Sequence, residues 1–354
     1  MHQGDKYRIG IVGATGYVGM ELVRLLGRHP GFRITALTSV SYEGRPFSEI
    51  YPAFTGVMDQ TLRTADPDFL ASACDLVITA LPHGVSSEIV PRLLDRGLRV
   101  LDHSGDFRFR DLATYENAYR LRHPRPELLA EAVYGLPELH REAIRTARLV
   151  ANPGCYPTSA ILAIAPLLTD GLIDADRLVV DSLSGVSGAG RQSAVAYSFC
   201  EAAESSRPYG VVGHRHTAEM EQEISALAGR PLELVFTPHL VPMKRGMLTT
   251  LYAPFAAATD TVTAEELYER FNSYYKYETF VRVLPPGQLP DSARVTASNF
   301  IDIGVAVDQR MRMVKVFSAL DNLGKGACSQ AIQALNLMTG YPETAGIDQI
   351  GIPV

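Results

Sequence analysis

Cysteine is scarce in this chain, positive charge is not in excess, and no apolar run is long enough to cross a bilayer. The four cysteines among 354 residues, Cys74, Cys155, Cys200 and Cys328, lie far apart and form no C-x-x-C pair. Such spacing excludes a disulfide-stapled scaffold or a zinc ribbon and suits free thiols in a reducing compartment. A net charge of -6 argues against nucleic acid as the main partner, because that needs a basic face. The best apolar run, "AILAIAPLL", falls far short of the ~20 residues of a spanning helix. The first residues also lack the apolar core of a signal peptide. A soluble, cytoplasmic protein with no membrane partner is expected. Repeats, low-complexity tracts and charge blocks are missing too.

What the chain does have is core material: 46% hydrophobic residues against 20% charged. Its length suits about two domains. The first half alternates β-branched runs with amphipathic patterns. "YRIGIV" (7–12), "FRITALT" (32–38), "CDLVITAL" (74–81) and "LRVLDHS" (98–104) read as strands, with helices over 17–29 and 86–97. Strand–helix alternation predicts parallel pairing, hence a Rossmann-type doubly wound α/β domain over 1–150. After residue 150 a helix from Thr158 to a stop at Gly171 leads into strands with longer gaps, some hairpin-like. An α+β domain with a mixed, largely antiparallel sheet is predicted over 151–325. A terminal helix ending at Gly340, within 326–354, is expected to return to the first domain.

Gly13, Thr15, Gly16, Tyr17, Val18 and Gly19 belong to "GATGYVG", a G-x-x-G-x-x-G turn directly after a strand and opening a helix. Glycines there let backbone approach a pyrophosphate, and the helix N-terminus offers free N–H donors. An NAD site usually ends its second strand on a carboxylate that holds the ribose. Here that strand runs into Thr38, Ser39, Val40 and Ser41, with Arg45 close behind. Hydroxyls and an arginine suit a 2′-phosphate, so NADP(H) is the expected cofactor.

In "NPGCYPTSA" (152–160), Pro157 fits the first turn of a helix, which puts Cys155 at or just before a helix N-terminus. That place favours a thiolate, and the same N–H groups suit the oxyanion formed when a thiolate attacks a carbonyl. Cys155 is therefore the candidate nucleophile, whereas Cys74, Cys200 and Cys328 read as structural thiols. In "GHRHTAEMEQEI", His214 and His216 stand before a helix whose N-cap reads as Thr217. His214 is the favoured acid/base and His216 a substrate or structural contact. Glu219, Glu221 and Glu223 read as the solvated start of that helix. "SGVSGAGR" contributes Ser187, Gly188 and Arg191, "DHSGDFRF" contributes Arg108, and "DNLGKGA" contributes Asn322 and Gly326, loops suited to anion or cofactor contact.

Together these blocks, with "TPHLVPMKRGM" and the terminal "NLMTGYPETAGI", resemble the N-acetyl-γ-glutamyl-phosphate reductases, within the wider aspartate-semialdehyde dehydrogenase-like group. The resemblance runs over essentially the whole chain. It implies NADPH-dependent reductive dephosphorylation of an acyl phosphate in arginine biosynthesis, and a homodimer or homotetramer. It carries the nucleophile onto Cys155 and the acid/base onto His214, with Arg108 and Arg191 where substrate anions would be met. The stretch after the second strand departs from the family's common Ser-Arg pair. A homologous reductase with a substrate one methylene longer, a non-catalytic NADP-binding sensor, and a cysteine hydrolase are the alternatives.

Overall fold

Six short, β-branched segments form one sheet: β1 (Tyr7–Val12), β2 (Phe32–Thr38), β3 (Leu76–Thr79), β4 (Arg99–Asp102), β5 (Val133–Tyr134) and β6 (Leu149–Ala151). All pair in parallel, in the order β2-β1-β3-β4-β6-β5. β3 is buried at every position, as a parallel strand covered on both faces must be. Val12, Val77 and Val100 meet Val90, Leu93 and Leu94 of the helix Ser86–Leu94 in the core on one side. The chain order runs outward from β1 in both directions. The end of β1 is thus the switch point where such sheets take ligands, and the glycine loop leaves from there.

A second sheet is built from β7 (Leu178–Gly185), β8 (Arg207–Pro208), β9 (Leu234–Val241), β10 (Met247–Pro254), β11 (Val281–Val283), β12 (Ile301–Asp308) and β13 (Met313–Leu320). Its order is β11-β12-β13-β10-β7-β9-β8. Pairing is antiparallel except for β7 with β9 and β11 with β12. β10 alternates buried and half-buried residues, so one face points to the core. The helix Cys155–Ile164 lies on that face against β10 and β13, and it is buried from Tyr156 to Ile164. Its apolar circumference marks it as a core helix. Ser159 Oγ meets Ser318 Oγ of β13 at 2.7 Å, and Tyr275 donates to the Leu162 carbonyl.

The computed structural model describes residues 6–169 and 171–352. Its backbone contacts divide into two compact units. One runs to Pro153 and takes up Ala327–Asp348; the other comprises Gly154–Gly326 and the residues from Gln349 on. The terminal helix Ser329–Thr339 packs on the helix Pro137–Thr146 of the first unit and ends at Gly340 with φ +76°. Ile352 instead donates to the Thr296 carbonyl in the second unit. The helix expected to run from Thr158 to Gly171 starts at Cys155 and is α-helical only to Ile164, followed by a 3-10 turn, Ala165–Leu167. Pro166 explains the early stop, since it lacks an N–H and clashes one turn back. No helix among the described residues is long and apolar enough to cross a membrane.

Candidate active site

Cys155 is the first residue of its helix and is half-buried. The N-cap is Gly154, which has no side chain with which to cap, so the first-turn amides remain directed at the N-terminus. Gly154 is required for space. A Cβ there would stand 2.5 Å from His216 Nε2. Its own N–H donates to Glu219 Oε1 at 2.8 Å. On the other flank a Cβ on Gly326 would stand 2.9 Å from Cys155 Cβ. The nucleophile candidate is thus hemmed in by two glycines, each pressed by a different segment.

His216 and Glu219 lie one turn apart on the helix Arg215–Ala228, and both are buried. Residues three apart on a helix share a face, which is why the pair reaches Gly154 together. The N-cap of this helix is His214, not Thr217: its Nδ1 accepts from the His216 N–H at 3.2 Å. With Nδ1 accepting, the proton of the neutral ring sits on Nε2, leaving that atom to donate. Four rings surround His214: Tyr156, Tyr209, Phe236 and His216, at centroid distances of 5.8, 5.5, 5.4 and 4.9 Å. Burial among them, aided by the neighbouring Arg215 charge, pushes its pKa down to about 4. Tyr209 donates to the Tyr156 hydroxyl at 2.9 Å, and burial raises the Tyr156 phenol well above its usual range. Both phenols therefore stay protonated at neutral pH.

The two glycine-rich loops of the second unit meet each other. Asn322 Nδ2 donates to Ser187 Oγ at 2.9 Å, while Asn322 Oδ1 accepts the Gly246 N–H at 2.8 Å. A Cβ on Gly188 would face Ser184 Oγ and Asn322 Nδ2 at 3.3 and 3.7 Å. Buried Asp321 pairs with Arg245 at 2.8 Å and takes the N–H groups of Ala297, Leu323 and Gly324, which ties the loop down.

In the first unit the three glycines have three different duties. Gly13 has φ +87°, and a Cβ would lie 2.4 Å from the Ala80 carbonyl. Gly19 lets the helix Tyr17–Leu26 close on the turn: its Cβ would lie 2.4 Å from the Gly13 carbonyl. Gly16, the N-cap, would meet only the Gly13 carbonyl, at 3.8 Å. Open space over an N-cap glycine fits a pyrophosphate approaching the backbone. Thr15 Oγ1 meets Ser39 Oγ at 2.9 Å, and Tyr51 donates to the Thr15 carbonyl, so the loop is joined to the end of β2. Ser41 and Arg45 are exposed beyond it, Arg45 in a solvent-screened pair with Glu49. Arg108 is buried, its Nε and Nη2 on the carbonyls of Asn152 and His103. This places it at the C-terminal ends of β4 and β6.

Several sequence expectations need correction. Glu219 and Glu223 are buried, not solvated, because the face of their helix that holds Gly154 faces the core. Cys200 is exposed, whereas Cys74 and Cys328 are buried. Arg191 is exposed on the segment after Gly190. Glu219, Tyr156 and Tyr209 were missed. Glu219 could have been found from its three-residue offset to His216; no local signal marks the tyrosine pair, whose members are 53 residues apart.

Comparison with known proteins agrees with this architecture. Residues 8–147 match the semialdehyde dehydrogenase NAD binding domain, and residues 155–322 the semialdehyde dehydrogenase dimerisation domain. The N-acetyl-gamma-glutamyl-phosphate reductase of Acetivibrio thermocellus is 49% identical over 97% of this chain and 98% of its own. That of Moorella thermoacetica is 50% identical over 98% and 99%. Among solved structures, aspartate semialdehyde dehydrogenase II of Vibrio cholerae, complexed with ASA, superposes with a TM-score of 0.71 at 18% identity, covering 95% of this chain and 99% of that one. Aspartate semialdehyde dehydrogenase with NADP from Candida albicans gives 0.67 at 18%, with the same coverage. At such identity these two speak for the fold alone. The chain belongs to the semialdehyde dehydrogenase family of oxidoreductases and, within it, to the N-acetyl-gamma-glutamyl-phosphate reductases.

Proposed function

We propose that the chain reduces N-acetyl-γ-glutamyl phosphate to N-acetylglutamate semialdehyde with release of phosphate, using NADPH. The observation that carries this reading is Cys155 on the first turn of a buried helix, beside the ring cage of His214. The Cys155 thiolate attacks the acyl carbon, and the carbon–sulfur bond forms as the carbon–oxygen bond to phosphate breaks. The first-turn amides face the oxyanion of that step. Arg108, or Arg191, offsets the charge of the substrate's anionic groups. In the first unit Gly13, Thr15, Gly16, Tyr17, Val18, Gly19, Ser39 and Ser41 would hold NADPH, which would supply the hydride when bound; in the second unit Ser187, Gly188, Asn322 and Gly326 are the candidate cofactor contacts. His214 Nε2–H stabilises the oxygen of the hemithioacetal and exchanges its proton, and Cys155 leaves as thiolate when the aldehyde is released. Splitting the reduction through a thioester keeps water from the activated acyl group.

Absence of a carboxylate at the end of β2, and the hydroxyls of Ser39 and Ser41 there, support NADP(H) over NAD(H). The dimerisation-domain match supports a homodimer or homotetramer. The test is NADP+ reduction with phosphate and N-acetylglutamate semialdehyde, run beside the semialdehyde one methylene longer. Cys155→Ser should lower kcat at least 1000-fold, on the scale of removing a covalent nucleophile, and leave NADP+ affinity within about twofold. Preference for the longer aldehyde would move the substrate assignment while keeping the mechanism, since a pocket separates one methylene by only ~1–3 kcal/mol. Cofactor binding without turnover of either would overturn the reading.

A further inference from the structure

The hydroxyls at the end of β2 bring no positive charge of their own. Ser39 is buried, while Val40 and Ser41 beyond it are exposed. A phosphate monoester carries about two negative charges at neutral pH, so a site that selects a 2′-phosphate over a ribose hydroxyl gains most from a cation. Two arginines of the first unit join the backbone network there, Arg45 and Arg63. Arg45 already has a counter-charge: its Nη2 donates to Glu49 Oε1 at 2.7 Å.

Arg63 is placed differently. It pairs in parallel with Thr38, the last residue of β2. Its N–H donates to the Leu37 carbonyl and its carbonyl accepts the Ser39 N–H, both at 3.0 Å. Buried Leu62 bonds to the opposite side, its N–H to the Arg45 carbonyl and its carbonyl from the Gly44 N–H, both at 2.9 Å. These bonds fix the stem of Arg63 while its head stays exposed. Its Cζ stands 4.5 Å from the centroid of the Phe69 ring. Stacking uses one face of a guanidinium and leaves open the N–H edge that meets a phosphate in bidentate fashion. Among the described residues no carboxylate pairs with this guanidinium. The acids that follow it in sequence are engaged elsewhere. Asp66 caps the helix Pro67–Ala73 by accepting the Phe69 N–H at 2.7 Å, and Asp68 pairs with Arg96.

We propose that Arg63 is the residue that selects NADP(H) over NAD(H), its guanidinium edge meeting the 2′-phosphate and Phe69 serving as the platform that orients it. The proposal rests on NADPH being the reductant, as argued above. Ser39 links this cation to the glycine loop, since its amide bonds Arg63 and its hydroxyl meets Thr15. Arg63 lies well beyond the stretch that follows β2 in sequence and returns to it only through the bridge to Thr38. A reading of the residues directly after the strand therefore arrives at Arg45, whose charge is spent on Glu49.

The experiment measures binding of NADP+, NAD+, adenosine 2′,5′-bisphosphate and 5′-AMP to the full chain by titration calorimetry, with no turnover involved. Arg63→Gln should weaken NADP+ and the bisphosphate about 10–100-fold, the scale of a charged hydrogen bond, and leave NAD+ and 5′-AMP within about twofold. Phe69→Leu keeps the charge and removes the platform, so it should cost the two phosphorylated ligands only about two- to fivefold. Arg63→Lys should keep part of the preference, as a point charge without the fork. Added salt should narrow the gap between NADP+ and NAD+ in the wild type more than in Arg63→Gln. An Arg63→Gln protein that keeps the wild-type gap would overturn the proposal, and so would one that loses both cofactors equally, which is the mark of a merely structural role. Closure of the gap by Arg45→Gln instead would hand the task to Arg45. A wild type that binds NADP+ and NAD+ equally would overturn the NADPH reading itself, and that result is read before any variant is made.

Discussion

Around Cys155 single atoms decide geometry. Gly154 has ordinary extended backbone (φ −69°, ψ 154°), so an alanine there would suffer no torsional strain. The whole effect of Gly154→Ala is a methyl group directed at His216 Nε2, which must move by more than half an ångström. Glu219 holds the amide of the same residue, so the backbone before the cysteine cannot yield instead. We expect a ~10–100-fold drop in kcat, the scale of a sub-ångström to 1 Å misplacement, with thermal stability lowered only slightly. A steady-state assay beside a melting curve checks it, and wild-type kcat would mean that His216 is free to shift without consequence. This contact was half legible beforehand. "GCYP" announced a helix start with a reactive residue on it, because proline and glycine act locally. That a histidine and a glutamate 62 and 65 residues later press on Gly154 is a tertiary fact. The glutamates also misled, since three acids at alternate positions resemble a wet face until the packing partner is known.

At the level of the element, the glycine loop separates backbone roles that share one letter. Gly19→Ala puts a Cβ 2.4 Å from one carbonyl oxygen and 2.6 Å from the Ala14 Cα, all rigid backbone, so strand and helix must part. Gly16→Ala meets nothing closer than 3.8 Å and has permitted torsions (φ −76°, ψ 171°). The first variant should lower the melting temperature of the first unit or fail to fold. The second should fold normally and bind NADP+ roughly tenfold more weakly, about 1.4 kcal/mol, because its methyl occupies space over the helix amides. Fluorescence titration with NADPH distinguishes them; equal loss of stability in both would remove the pyrophosphate role from Gly16. Elements of this kind were readable because their signals are periodic or punctuating: β1 and β2 begin and end where the β-branched runs do. The start of the helix Arg215–Ala228 was not. Its cap is a histidine ring nitrogen, a choice outside the usual serine, threonine, aspartate and asparagine, so Thr217 drew the eye.

Over the whole molecule, buried histidines set the response to acid. Burial is the leading cause in each case: it pushes His103 down to about 3 and His214 to about 4, and lowers His29 and His123 as well. The Arg108 guanidinium adds to the effect at His103. A histidine whose folded pKa lies below its unfolded value of ~6.5 binds fewer protons folded than unfolded. Stability therefore rises with pH between the two values. The contribution is complete above about pH 6.5 and is lost as pH falls towards 4. Asp102 works the other way, since burial raises its carboxyl and acid relieves that cost. Glu221 is raised by burial in the same way. Four histidines against these two carboxyls leave a net loss, and the apparent Tm should drop by roughly 5–10 °C between pH 7.5 and pH 5. His103→Asn, which removes the most depressed of the four, should flatten that slope even if it lowers the Tm at pH 7.5. Calorimetry at both pH values tests this, and an unchanged slope in the variant would show that His103 finds a proton-accommodating environment that its burial against Arg108 does not provide.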